Sequence, residues 1–459
     1  MERILIERPM TSSQAMREAE RCLQCFDPPC ARRCPAGIVI PRFIRMIMSG
    51  NARGAAEAVR SANAMASSCG LACPDEQLCA SVCVRRSIDR PVEIRRLHRF
   101  ATDTEEAMGP RSVRRAVRGR GSVAIVGAGP GGLACAAELR RLGIEVTLYE
   151  ARGEIGGVLA GAIPLYRFPA EAVGRDAAFA IGRAAALASG RGAASRGRRG
   201  ASAPLPDIHL KLETRVTDIA ALAKRHDAVF AAPGVVAADR SVPGCDFRGV
   251  VSAVAFLEEC RRKRYANRVG RDVVVIGGGN VAVDAAMAVI RCAEEMGGHP
   301  PRVRVLYRRT RDLMPAWERE VREAERVGVV FHFLVAPAGF TGERGKLTGV
   351  EVLRMRLGRI DATGRRAAVP IPGATLAVPC DQAILAMGTA PERSIWRGLP
   401  ATRQGYPSTD RRANRVMDNV YAGGDVLGGE QSIVAAVGDA KRAARAIAAS
   451  LERKGRGDE

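Results

Sequence analysis

Residues 122–150 read SVAIVGAGPGGLACAAELRRLGIEVTLYE, and they set the architecture of most of the chain. SVAIV is an unbroken apolar run of strand length, the pattern of a strand buried on both faces of a parallel sheet. GAGPGG then places Gly127, Gly129 and Gly132 in the spacing G-x-G-x-x-G. The first glycine makes a tight turn, the second lets a pyrophosphate approach the backbone, and the third lets helix and strand pack closely. A helix over 132–142 and a strand over 145–149 complete a βαβ unit, with free N–H groups and the helix dipole favouring an anion at the loop. Glu150 ends the second strand, 18 residues after Gly132, placed to accept hydrogen bonds from a ribose.

A second unit begins at Arg271. Its strand is DVVVI, and GGGNVAVD (277–284) puts Gly277, Gly279 and Ala282 in G-x-G-x-x-A, with Asn280 inside the loop. A helix over 281–292 and a strand over 303–306 follow. The next residues are LYRRTRDLMP, with no acid at the strand end. Arg308 and Arg309, together with Arg311, pair with a 2′-phosphate that an acid repels, which favours NADPH over NADH. A solvated basic loop is the competing reading. Further strands are expected near 229–233, 329–334, 349–356, 382–386 and 420–424, before a helix over 432–451. The pattern is α/β: one nucleotide-binding domain, interrupted by a second and completed at the C-terminal end.

Upstream lie eight cysteines in two groups. Cys22, Cys25, Cys30 and Cys34 form C-x2-C-x4-C-x3-C-P, and Cys69, Cys73, Cys79 and Cys83 form C-x3-C-P-x3-L-C-x3-C. Thiolates two to four residues apart suit an iron–sulfur cube, and in such runs the last cysteine, next to proline, serves a different cluster from the first three. Cys22, Cys25 and Cys30 are therefore expected to share one cluster, Cys34 to serve another, and the second group to supply the remaining ligands. Zinc is the alternative for C-x2-C. Amphipathic segments at 40–48, 52–64 and 92–106 predict a small helical domain whose loops carry the cysteines.

RCLQCFDPPCARRCPAGIVIPRFI (21–44), with SSCGLACPDEQLCASVC (67–83), resembles the N-terminal domain of the glutamate synthase small subunit family, which includes the flavin half of dihydropyrimidine dehydrogenase. The resemblance covers nearly the whole chain. It implies one [4Fe–4S] cluster on Cys22, Cys25, Cys30 and Cys83. It implies a second on Cys34, Cys73, Cys79 and a residue in PVEIRRLHRFATD (91–103), where relatives place Gln or Glu and this chain has His98. Imidazole is a competent iron ligand that raises cluster potential; the alternative is that His98 only packs nearby. Cys69 is left over as a buried structural cysteine. Gly156 and Gly157 follow Glu150 as in flavoproteins that bind FAD, and NVYAGGDVLGGEQSIVAAVGDAKRAA (419–444) resembles the segment completing that site. Gly157, Gly424 and Asp425, which bonds the ribityl chain, thereby join the flavin residues. So do Gln431 and Ser432, at a helix start facing the pyrimidine ring. Relatives usually carry Ala-Thr-Gly where this chain has Ala232-Pro233-Gly234.

The resemblance implies two Rossmann-like domains, an FAD domain interrupted by an NAD(P)H domain, preceded by a helical iron–sulfur domain. The expected boundaries are 1–117, 118–243 with 379–459, and 244–378. The implied activity is passage of electrons from NADPH through FAD and two [4Fe–4S] clusters to a partner, as an electron-input subunit. A free-standing NADPH–ferredoxin oxidoreductase and a pyrimidine dehydrogenase input subunit are variants. No side chain is singled out as a general acid. Disulfide-reductase chemistry is disfavoured, since 156–170 holds no cysteine and no C-x2-C follows Gly279.

Composition limits the rest. The chain has 459 residues, room for about three domains. No secretory signal and no run of about 18 apolar residues is present, so a cytoplasmic location without membrane spans is expected. Thirteen cysteines there point to metal rather than disulfides. Net charge is +22, mostly arginine, with runs at 111–120 and 191–199. It fits a solvated surface or docking of an acidic electron-transfer partner. Nucleic-acid binding or a cluster-based redox sensor is the reading from another class, and aromatics at 4% supply few stacking platforms for it. Residues 183–203, almost all Ala, Arg, Gly and Ser, read as a surface insert.

Overall fold

The computed structural model describes residues 7–108, 121–182, 208–238, 242–361, 364–410 and 412–457. The insert at 183–203 and the arginine runs at 111–120 and 191–199 lie outside them. The chain divides into two units: Met1–Ala160, Tyr166–Val235 and Ala390–Glu459 in one, Gly161–Leu165 and Val236–Thr389 in the other.

The first unit holds a six-stranded sheet in the order Arg415–Met417, Val420–Ala422, Ala228–Ala231, Ser122–Val126, Glu145–Tyr149, Ile208–Lys211. All its neighbours run parallel except the first pair. The apolar run at 122–126 is the reason for its central place: Val123, Ala124 and Ile125 are fully buried, as a strand covered on both faces requires. The helix Pro130–Arg141 begins with proline in its first turn and packs against the C-terminal helix Ile433–Gly457. Pro233 follows the last ladder donor, Ala232 N to Val126 O, so this departure from Ala-Thr-Gly removes no strand hydrogen bond.

The cysteine-bearing part belongs to this unit. Its main helices are Ser12–Glu20, Ile40–Met48, Ala52–Ala62 and Ile94–Met108. Thr11 closes a capping box with Gln14 at the first of them. The expectation that loops carry all the cysteines needs correction. Cys69 lies within a seven-residue helix, Ala66–Ala72, and Cys30 within a single turn, Pro29–Arg32. Gly70 makes the first of these possible, since a Cβ there would stand 2.9 Å from Arg99 Cα.

The second unit has a five-stranded parallel sheet in the order Val250–Ser252, Gln382–Leu385, Asp272–Ile276, Arg302–Tyr307, Val330–Phe333. Gln382–Leu385 pairs with Asp272–Ile276, so it is not part of the returning segment that the boundary at 379 assigns to the first domain. Beside this sheet runs an antiparallel layer of Val335–Glu343, Lys346–Ile360 and Arg366–Pro379. The last strand escapes sequence reading because Pro370 and Pro372 argue against a strand. It is an edge strand, and its register breaks between the Leu353–Thr375 and Met355–Pro370 pairs.

Candidate functional site

The first glycine loop is built as its spacing demands. Gly127 has φ +94°, and a Cβ there would meet Ala232 O at 2.4 Å. A Cβ on Gly132 would fall 1.8 Å from Gly127 O. Gly129 has only Gly157 Cα nearby, at 3.9 Å, so its backbone is open to a ligand. Gly157 has φ +55° and leans on Gly129. Glu150 is buried, and its carboxylate accepts from Ala128 N at 2.8 Å and Arg152 N at 2.9 Å. The acid thus braces the loop itself, and with about four lone-pair positions it retains acceptors for a ribose.

The returning segment closes on this loop. Gly424 has φ +77°, and its N–H donates to Asp439 Oδ2 at 3.0 Å. Burial, with the Asp439 charge adding, pushes the neighbouring Asp425 carboxyl up to about 6. Ser432 Oγ accepts from Ala435 N at 3.2 Å and so caps the C-terminal helix, while Gln431 is exposed. Nothing in the sequence marks Asp439, one turn and a half into a helix, as a partner of this turn.

The second loop repeats the plan. Gly277 has φ +149°, with Ala386 O 2.3 Å from its would-be Cβ, and Gly279 is open but for Pro315 at 4.0 Å. Asn280 Oδ1 accepts from Trp317 N at 2.9 Å, and Ala316 N donates to Gly278 O at 3.1 Å, so residues 315–317 strap the loop. The three arginines separate. Arg308 is exposed at the strand end. Arg309 is buried, with its guanidinium 2.6 Å from Asp361 and donating to Arg366 O at 2.7 Å. Its expected pairing with a 2′-phosphate is corrected: the side chain turns inward to brace the antiparallel layer. Arg311, half-exposed, is held by Glu318 and Glu325.

None of the thirteen cysteines is paired in a disulfide. Cys22 feels Cys83 and Cys25 as like charges, Cys30 feels Cys83, Cys22 and Cys25, and burial with these neighbours pushes Cys30 up to about 12. Cys73 feels Cys69, Cys79 and Cys34, while Cys79 feels Cys34 and Cys30, and burial raises both strongly. The seven thiols Cys22, Cys25, Cys30, Cys34, Cys73, Cys79 and Cys83 thus share one neighbourhood, with Cys30 felt by Cys79 as well as feeling Cys22, Cys25 and Cys83, and of the seven only Cys79 is buried. Cys69 is buried, feels Cys34, and is pushed up chiefly by burial. His98 is buried, burial with Arg60 and Arg95 drops it to about 3, and its Nε2 has no hydrogen-bond partner. A neutral imidazole with an unsatisfied nitrogen fits a metal-ligand role. Among the described residues, no three His, Cys, Asp or Glu side chains are disposed to hold a single metal ion. The donor set, seven clustered thiols and an orphan imidazole nitrogen, has the chemistry of cluster ligation.

One anchor of the helix Ala66–Ala72 has no signal in the sequence. Asp176, fully buried on the helix Ala170–Ile181, accepts from Ser67 N at 3.0 Å and Ser68 N at 2.8 Å and pairs with Arg60 at 2.5 Å. A carboxylate from more than 100 residues downstream thus seats the helix that carries Cys69 and leads to Cys73.

Comparison with known proteins places both parts of the chain in known families. Residues 4–110 match the family model described as dihydropyrimidine dehydrogenase domain II, 4Fe-4S cluster. Residues 121–440 match that of pyridine nucleotide-disulphide oxidoreductases. The chain is 31% identical to the glutamate synthase [NADPH] small chain of Escherichia coli, over 98% of this chain and 94% of that one. It is 34% identical to the NADP(+)-dependent formate dehydrogenase subunit beta of Moorella thermoacetica, over 91% of this chain but 59% of that longer protein. It is 31% identical to the NAD-dependent dihydropyrimidine dehydrogenase subunit PreT of Escherichia coli, over 96% and 95%. Among solved structures, Mycobacterium tuberculosis FprA in complex with NADPH shares the fold, with a TM-score of 0.57 at 20% identity over 74% of this chain and 86% of that one. Among the described residues no helix is long and apolar enough to cross a membrane.

Proposed function

Since the chain belongs to the glutamate synthase small subunit family, we propose that it is the electron-input subunit of a hetero-oligomer, taking electrons from NADPH and delivering them to an electron-accepting partner. The observation that carries this reading is the gathering of seven thiols that feel one another's charge within the unit that holds the first glycine loop. FAD bound there would supply hydride acceptance from a nicotinamide and single-electron release toward iron–sulfur clusters. Two [4Fe–4S] clusters are assigned, one to Cys22, Cys25, Cys30 and Cys83, the other to Cys34, Cys73, Cys79 and His98 Nε2.

The protein's own part is binding, orientation and tuning. Gly127, Gly129 and Gly132 present a helix N-terminus to the FAD pyrophosphate. Glu150 holds a ribose, Asp425 the ribityl chain, and the backbone at Gly157, Gly424, Gln431 and Ser432 walls the site. Gly277, Gly279 and Asn280 form the nicotinamide-nucleotide loop, and Arg308 is the arginine that reads a 2′-phosphate. The loop of Cys22, Cys25 and Cys30, which carries the fully exposed Phe26, is the exit toward the partner. In this reading the nicotinamide part takes in the strand Gln382–Leu385, which pairs with Asp272–Ile276.

An anaerobic NADPH titration of the purified protein, read by iron and flavin content, visible absorbance and EPR, tests the reading. Flavin bleaching with two distinguishable reduced-cluster signals is expected. Protein purified without iron and flavin, and inert to NADPH, would sink it.

A further inference from the structure

The Cys34 loop rests on the C-terminal helix Ile433–Gly457, and the contact is unusually close. Gly438 lies under Pro35: a Cβ at 438 would stand 2.9 Å from Pro35 O and 3.2 Å from Pro35 Cβ. One turn further along, Lys441 Nζ donates to Ala36 O at 2.6 Å and to Ala62 O at 2.7 Å. One ammonium therefore ties the segment before the helix Ile40–Met48 and the C-terminal end of the helix Ala52–Ala62 to a single helix of the nucleotide-binding part. The ammonium is near enough to Cys34 for the sulfur to act on it electrostatically, together with Glu138. A half-buried cation held at backbone carbonyls is not a surface salt bridge; it is fixed by geometry and felt at low dielectric.

Resting on the function proposed above, we infer that Gly438 and Lys441 are positioning residues for flavin-to-cluster electron transfer, making the Cys34 cluster the point of entry. Gly438 sets the approach, because electron transfer weakens steeply with distance and any side chain there pushes the loop away. Lys441 sets the approach and the potential. A cluster gains one unit of negative charge on reduction, and a fixed cation beside its ligand favours the reduced form. The step makes and breaks no protein bond: one electron leaves reduced flavin, one enters the cluster, and the flavin proton passes to solvent.

Three variants of the full-length holoprotein test this, with iron and flavin content measured first. In Lys441→Met, potentiometric EPR should give a lower midpoint for one cluster and an unchanged midpoint for the other. Stopped-flow cluster reduction should slow at least tenfold, while NADPH bleaches the flavin within twofold of the wild-type rate. Lys441→Arg, which keeps the charge, should restore the midpoint. Gly438→Ala should slow cluster reduction with no midpoint shift. A loaded Lys441→Met protein with wild-type midpoints and wild-type cluster reduction overturns the inference. If that variant loses its iron, Gly438→Ala decides: full iron content with an unchanged cluster-reduction rate overturns it equally. Wild-type protein without iron would instead refute the proposed function.

Discussion

At the first glycine loop, Gly127 N donates to Tyr149 O at 2.8 Å and Ala232 N to Val126 O at 2.9 Å; at the second, Gly277 N donates to Leu306 O at 3.0 Å and Ala386 N to Ile276 O at 2.8 Å. In both, the leading glycine is pressed against a carbonyl just beyond the neighbouring strand, Ala232 O or Ala386 O. The loops diverge at the third position and at the strand end. Gly132 leaves no room for a Cβ, whereas Ala282 carries one and is fully buried. Glu150 turns back to the first loop, whereas Arg308 faces out beside the second. The shared frame fixes where a pyrophosphate goes, and the divergent atoms decide which nucleotide follows it.

The sharpest way to break the comparison is Gly132→Ala. Its Cβ would meet a backbone carbonyl at 1.8 Å, so the loop or the helix must move. Overpacking against backbone costs about 3 kcal/mol, and the protein should purify without bound flavin and with a lowered Tm. Flavin content by absorbance after gel filtration checks it; a fully yellow variant would mean that the two loops tolerate a methyl group equally.

Glu150→Ala comes next. Two backbone N–H groups, Ala128 and Arg152, would lose a charged acceptor, at about 2 kcal/mol. Flavin affinity should fall at least tenfold in fluorescence titration of the deflavinated protein, with NADPH affinity unmoved. Equal loss at both sites would show that the carboxylate supports the whole unit and not its own loop.

The first site also has a titrating group for which the second shows no counterpart among the described residues. With its carboxyl raised to about 6 by burial and Asp439, Asp425 favours the folded state while protonated. That contribution is complete below the unfolded-state value of about 4 and disappears as pH rises through 6. Without flavin, wild-type stability relative to Asp425→Asn should therefore drop by one to two kcal/mol, as an order of magnitude, between pH 4 and 6 and stay level above. Parallel stability curves over that range would place the charge in water.

How much of this was legible depends on how local each cause is. The glycine turns, their strands and Glu150 lie within 29 consecutive residues, so spacing alone locates them. The direction of Arg309 does not follow from spacing. Strand alternation puts Tyr307 inside, Arg308 outside and Arg309 inside, but Arg309 stays in only because Asp361 and Arg366 O receive it, and those belong to a hairpin that prolines conceal. Asp176 and Lys441 are likewise invisible in sequence, since each acts on backbone groups over 100 residues away. Arg308→Ser and Arg309→Ser separate the two kinds of information. The first should cut the NADPH-over-NADH preference in KM about tenfold, the value of one charge-assisted hydrogen bond, and leave Tm alone. The second should lower Tm and leave the preference alone, because it strands Asp361.

The smallest expected effect is the converse of the largest. Ala282→Gly removes a buried methyl group from the helix Asn280–Glu295 and costs about 1 kcal/mol through helix propensity. No backbone needs to move, because the second loop already clears a Cβ at this position. Nicotinamide-nucleotide affinity by isothermal titration should stay within twofold while Tm falls slightly. If both reciprocal changes were mild, the third glycine of the first loop would be a preference; if both abolished binding, each loop would be tuned to its own residue. Only the asymmetric outcome, flavin lost with Gly132→Ala and nucleotide retained with Ala282→Gly, agrees with a 1.8 Å contact on one side and an accommodated methyl on the other.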